Sequence, residues 1–171
     1  MGIVKKDESR RNEMTEHTSE LFGKIAINEE KESEEISLNY NGNEIKVVFH
    51  NFYEKFAKNL NEKLAFCFGI IEKYYEVNEN VKNILINRFS DVRPNIRLHR
   101  KFQWYFDKEL NNFEIVSAIK NFPFPILVFS TNDKKEILVT LRYVSQVNDK
   151  ALGVVLDEEL KIVLLLARGY L

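Results

Sequence analysis

The sequence predicts an α+β fold in which an antiparallel sheet, made of an N-terminal hairpin and a C-terminal meander, packs on one long helix and one or two shorter ones. Three observations carry this expectation. In "ISLNYNGNEIKVVF", residues 36–49, apolar side chains alternate on both sides of Asn41-Gly42. Between Asn51 and Tyr75 the apolar spacing changes to three and four. From Leu127 onward, short apolar runs alternate with polar turns.

Residues 1–20 are mostly charged or polar, with too few large apolar side chains to offset the entropy of ordering. They read as a flexible tail, and residues 21–171 as one α+β domain. "LFGKIAI" (21–27) places Ile25 and Ile27 at period two and suits a first strand. The next segment, with Glu29, Glu30, Glu32, Glu34 and Glu35, reads as a solvated turn. Asn-Gly favours the positive φ values of a type I′ turn, whose twist matches two flanking strands, so 36–49 is a hairpin. The long helix spans 52–75, with Tyr53, Phe56, Leu60, Leu64, Cys67 and Ile71 on its apolar side and Gly69 as its weak point. A shorter helix begins after Asn78 or Asn80, buries Val81, Ile84 and Leu85, and ends before Pro94.

In "IRLHRKFQWYF" (96–106) the even positions are apolar except Arg100, which predicts a strand. A helix is also possible, since Leu98, Phe102, Tyr105 and Phe106 would share a helical face. A further helix follows Asn111 or Asn112 and carries Ile115, Val116 and Ile119 inward. The meander then runs through 127–130, 137–144, "ALGVVL" and "KIVLLLA". Its last strand is apolar on both faces and is expected inside the sheet, covered on each side.

A chain of 171 residues with 44% hydrophobic content can bury a substantial core. Its 25 basic and 26 acidic residues give a net charge of −1, which excludes global attraction to nucleic acid or an anionic membrane. The single cysteine, Cys67, can form neither an internal disulfide nor a thiolate zinc cluster. The first residues lack the apolar core of a secretory signal, Lys6 stands where myristoylation needs Ser or Thr, and no apolar run is long enough to span a bilayer. A cytoplasmic location without membrane contact is the expectation.

The chain holds no glycine-rich phosphate loop, nucleophile elbow or HExxH motif, so no cofactor, metal or catalytic residue is expected. His17, His50 and His99 are too scattered to argue a metal site. Local charge is more informative. Arg93, Arg97, Arg100 and Lys101 lie in a stretch free of acids, whereas residues 1–50 are net acidic. On a strand, Arg97, His99 and Lys101 would project from one face about 6.6 Å apart, a spacing close to that of phosphates, and Tyr105 would extend the row. RNA binding, or metal-independent RNA cleavage, could use His99 or Tyr105 for proton transfer and Arg97 and Arg100 to stabilise the phosphorane. The plainer reading is a basic outer strand face, with Trp104 in the core beside Phe102 and Phe106. The glutamates of 29–35 are either a solvated loop or a surface that steers a basic protein partner, such as a toxin domain.

Phe22-Gly23, Asn41-Gly42, Tyr105-Phe106, Asp157-Glu158 and Gly169, in this order, resemble the pattern of a group of small bacterial α+β proteins of unknown function. Some of that group are regarded as immunity proteins of polymorphic toxin systems. The resemblance implies a non-catalytic inhibitor that binds an effector or toxin, with Glu29, Glu30, Glu32, Glu34 and Glu35 as candidate contacts.

Overall fold

The computed structural model describes residues 14–28, 33–50, 59–90 and 95–169. Within them lie strands β1 (Met14–Ser19), β2 (Gly23–Asn28), β3 (Ser33–Tyr40) and β4 (Asn43–His50). Helices α1 (Leu60–Glu72), α2 (Tyr74–Ser90), α3 (Ile96–Phe106) and α4 (Asn112–Lys120) follow. Strands β5 (Ile126–Thr131), β6 (Ile137–Val144), β7 (Lys150–Leu156) and β8 (Ile162–Gly169) complete the α+β fold. β1 and β2 form a two-stranded sheet, and the other six run in the order β3-β4-β5-β6-β7-β8. The hairpin and the meander join through the parallel β4–β5 pair, while the remaining pairs are antiparallel.

The hairpin forms as its turn chemistry demands. Asn41 and Gly42 take φ of 51° and 81°, and Tyr40 pairs with Asn43. Part of the expected tail is a strand. Met14–Ser19 pairs with β2, the His17 ring stacks on Phe68 of α1 at 4.3 Å, and Ser19 Oγ accepts from the Leu21 and Phe22 amides. These partners compensate for the low apolar content that argued for disorder. Residues 1–13 lie outside the described residues. The expected acidic turn also differs, because Glu34 and Glu35 belong to β3. Glu34 is buried and accepts from the Asn28 amide, which ties the two sheets together. Glu29, Glu30 and Glu32 lie outside the described residues.

The expected long helix is interrupted at Lys73, not at Gly69, and its part before residue 59 lies outside the described residues. The next helix begins at Tyr74, whose buried hydroxyl donates to the Pro125 carbonyl at 2.7 Å. Val77, Val81 and Leu85 form the inner face of α2, which leaves Ile84 exposed.

The strand expected over 96–106 is a helix. The Asn95 side chain accepts from the Leu98 amide and caps α3, and Leu98, Phe102 and Tyr105 bury at helical spacing. The alternation of residue types was coincidental, and the cap and core contacts decide the local structure. Tyr105 therefore turns into the core, and Trp104 turns out: it is 37% exposed, with Lys150 Nζ 5.1 Å from its ring centre. In α4, Asn111 and Glu114 form a reciprocal capping box.

The last strand is at the edge of the sheet. Leu165 and Ala167 pack on the core, but Val163 and Leu164 are 54% and 50% exposed. Lys101 Nζ donates to the Leu165 carbonyl, occupying one polar group of this edge. In the turn before β8, the Glu158 carboxylate accepts from the Ile137 amide and from Lys63 Nζ, each at 2.8 Å. The backbone N–H first, and Lys63 second, lower its pKa. A lowered folded pKa stabilises the fold above the usual carboxylate value, near 4.3, and this is lost as pH falls through the lower folded value. The side chain is 37% exposed, so the effect is below about 1 kcal/mol. Urea midpoints measured from pH 7 downward should fall less steeply for Glu158→Gln than for the parent; equal slopes would show that Glu158 contributes nothing.

The helices bury their apolar sides on one face of the large sheet, where Phe49, Phe129, Leu141, Tyr143, Leu152 and Val154 meet Leu64, Ile71, Leu85 and Phe102. The period of two sends the alternate strand residues to the opposite face.

Candidate functional site

That opposite face carries the candidate site. Strand register places Glu35, Val48, Val128, Thr140, Val155 and Leu164 in one row from β3 to β8. The next row holds Lys46, Ile126, Arg142, Gly153 and Leu166 on β4 to β8. Val128, Ala151 and Val155 are 6%, 7% and 5% exposed, yet none belongs to the cluster under the helices. The face is therefore recessed. A trough of about 580 Å³ runs along it from Ser33 and Glu35 on β3 to Arg168 on β8, lined by strand residues. Gly153 deepens the floor, since a Cβ there would stand 3.4 Å from Thr140 Cγ2 and 3.5 Å from Leu166 Cβ.

Charge divides the trough. At the β3–β4 end Glu35 and Lys46 pair at 3.0 Å. At the other end stand half-buried Arg142 and exposed Arg168, neither of whose side chains forms an ion pair or hydrogen bond among the described residues. His50, Ser130 and Thr140 add polar groups to the lining. Among the described residues, no three His, Cys, Asp or Glu side chains are grouped to hold a metal ion. The arrangement suits non-covalent binding: an apolar floor gives affinity, and cations at one end orient an anionic group.

The residues expected to carry RNA chemistry do not form one site. Arg97 and Arg100 are exposed on α3, on the same helical side as Trp104. His99 is half-buried, its ring 6.5 Å from that of Phe89. Tyr105 is buried against Phe106 and Phe122, and burial pushes its hydroxyl pKa up to about 12. Its burial and raised pKa both remove it from proton transfer to an external phosphate. Of the acidic candidates, Glu34 is committed to Asn28 and Glu35 lines the trough.

Arg142, Arg168 and Gly153 were not among the sequence candidates. The available signal was slight: Thr140 and Arg142 alternate with Val139, Leu141 and Tyr143, and a glycine interrupts the apolar β7. No protein-family model, curated protein or solved structure matches the chain.

Proposed function

We propose that the chain is a non-catalytic protein-binding protein, an inhibitor of a bacterial effector or toxin of the kind its resemblance implies, and that the partner seats on the sheet face that no described helix covers. The observation that carries this reading is the aliphatic row Val48, Val128, Val155 and Leu164, recessed at Val128 and Val155 and bordered by charged side chains. An apolar centre with a polar rim is the make-up of protein interfaces. Of the glutamate run, this surface takes in Glu35, which lines the trough, and leaves out Glu34, which is buried.

The test is purification of the tagged chain from its own host, beside Gly153→Trp and Leu166→Asp variants. A stoichiometric protein held by the parent and lost from both variants, at unchanged melting temperature, is the expected result. Retention by both variants would remove the sheet face from the reading. RNA binding through α3 is the second reading, favoured by the exposed Arg97 and Arg100 beside half-exposed Trp104. It requires that Arg97→Glu with Arg100→Glu abolish RNA retention while any protein complex survives.

A further inference from the structure

We propose that the partner segment in the trough is an extended acidic peptide whose carboxylates are taken by Arg142 and Arg168. This inference rests on the reading that the sheet face is the binding surface, and adds the chemistry of what fills it. Three observations lead to it.

The first is charge. Glu35 and Lys46 neutralise each other at one end, while Arg142 and Arg168 leave two positive charges without a described counter-charge at the other. Arg142 is half-buried beside the Gly153 hollow. A guanidinium partly removed from water gains more from a carboxylate than one fully solvated, and its planar fork donates to the two oxygens together.

The second is shape. From β3 to β8 the trough crosses five strand spacings, about 24 Å. A volume of about 580 Å³ drawn out over that length gives a cross-section of about 25 Å². That is nearer the width of one extended chain, about seven residues long over this distance, than that of a helix of about 10–12 Å diameter.

The third is spacing. Gly153 pairs with Arg142 and Leu166, and Arg168 lies two residues beyond Leu166. The two arginine Cα atoms are thus about 10 Å apart across the strands and about 7 Å along them. Carboxylates on alternate residues of an extended peptide, about 6.6 Å apart, fall within reach of both flexible side chains. The aliphatic floor at Val48 and Val128 accepts the apolar residues that precede them. Among the described residues that line it there is no Phe, Tyr or Trp on which a nucleobase could stack.

Labelled peptides "SVSVSESES" and "SVSVSKSKS", and a nonameric oligouridine, would be titrated against the full chain. The glutamate peptide should bind at least tenfold more tightly than the lysine peptide or the RNA, and weaken as salt rises. Arg142→Glu and Arg168→Glu should each weaken it by about tenfold or more, with Arg142→Gln and Arg168→Gln as substitutes if a reversal fails to fold. Equal binding of the lysine peptide or the RNA, or indifference to both arginines, overturns the inference. Failure of both peptides, with the native partner still lost from Gly153→Trp, also overturns it but leaves the sheet-face reading intact. Glutamate-peptide binding that survives Gly153→Trp and Leu166→Asp places the site elsewhere, and both conclusions fall.

Discussion

Replacing Phe102 by alanine is expected to cost the fold about 3–5 kcal/mol. Its ring is fully buried, perpendicular to Phe89 at 5.0 Å and parallel to Phe122 at 6.1 Å. It therefore ties α3 to the end of α2 and to the segment between α4 and β5. Alanine removes most of the buried side chain and leaves a cavity that aromatic neighbours, restricted to a few rotamers, fill poorly. Against a total stability of about 5–15 kcal/mol, such a loss brings the domain close to its unfolding threshold. Urea unfolding followed by the fluorescence of Trp104, the one tryptophan of the chain, measures it. Phe102→Leu should restore more than half. A loss below about 1 kcal/mol for alanine would mean that the aromatic cluster re-forms without its centre.

The second large effect lies at the contact between α2 and β6. Tyr143 donates its hydroxyl to Asn78 Oδ1 at 2.8 Å, with both residues out of reach of water. Burial also raises the Tyr143 pKa, so the hydroxyl remains a donor throughout the ordinary pH range. Asn78→Ala strands the hydroxyl and opens a small cavity, at a cost of about 2–3 kcal/mol. Tyr143→Phe strands the amide oxygen, at about 1–2 kcal/mol. The double variant no longer leaves either group searching for the other, so it should cost at least about 1 kcal/mol less than the two single losses combined. Simple additivity in the urea midpoints would show that the hydrogen bond stabilises nothing.

What was legible in the sequence is what short-range chemistry decides. Asn41-Gly42 gave the hairpin because few residue pairs adopt two successive positive φ values. The Asn111-Asn112 pair marked the start of α4, which Asn111 caps, and Ile25 with Ile27 marked a strand. The failures have a common cause in non-local partners. Met14–Ser19 is a strand because β2 and Phe68 are there to receive it. The 96–106 stretch satisfied both periods, and burial of Tyr105 against Phe122 settles it as a helix. β8 reads as a central strand, yet its edge position depends on the order of six strands, which no property of "IVLLLA" encodes.

The trough was hidden for the same reason. Arg142 and Arg168 are ordinary outward residues of two strands until β7 brings them onto one surface, with Gly153 between. The basic run at 97–101, by contrast, attracted notice through sequence adjacency. The helix then sent Tyr105 inward and gave Lys101 to the sheet edge.

The parallel seam between β4 and β5 also orders events in time. The hairpin and the meander close through short turns, so each can assemble early from neighbouring residues. The seam, where Val47, Val48 and Phe49 meet Leu127, Val128 and Phe129, has residues 51–125 between its two strands and must wait for that long chain to be gathered. Glu35, Lys46 and Val48 stand on one side of the seam, and Arg142, Gly153 and Arg168 on the other. Until it closes there are two half-surfaces and no trough, so under the function proposed above a nascent or partly folded chain would be incompetent to hold a partner, and binding would itself report that folding is complete.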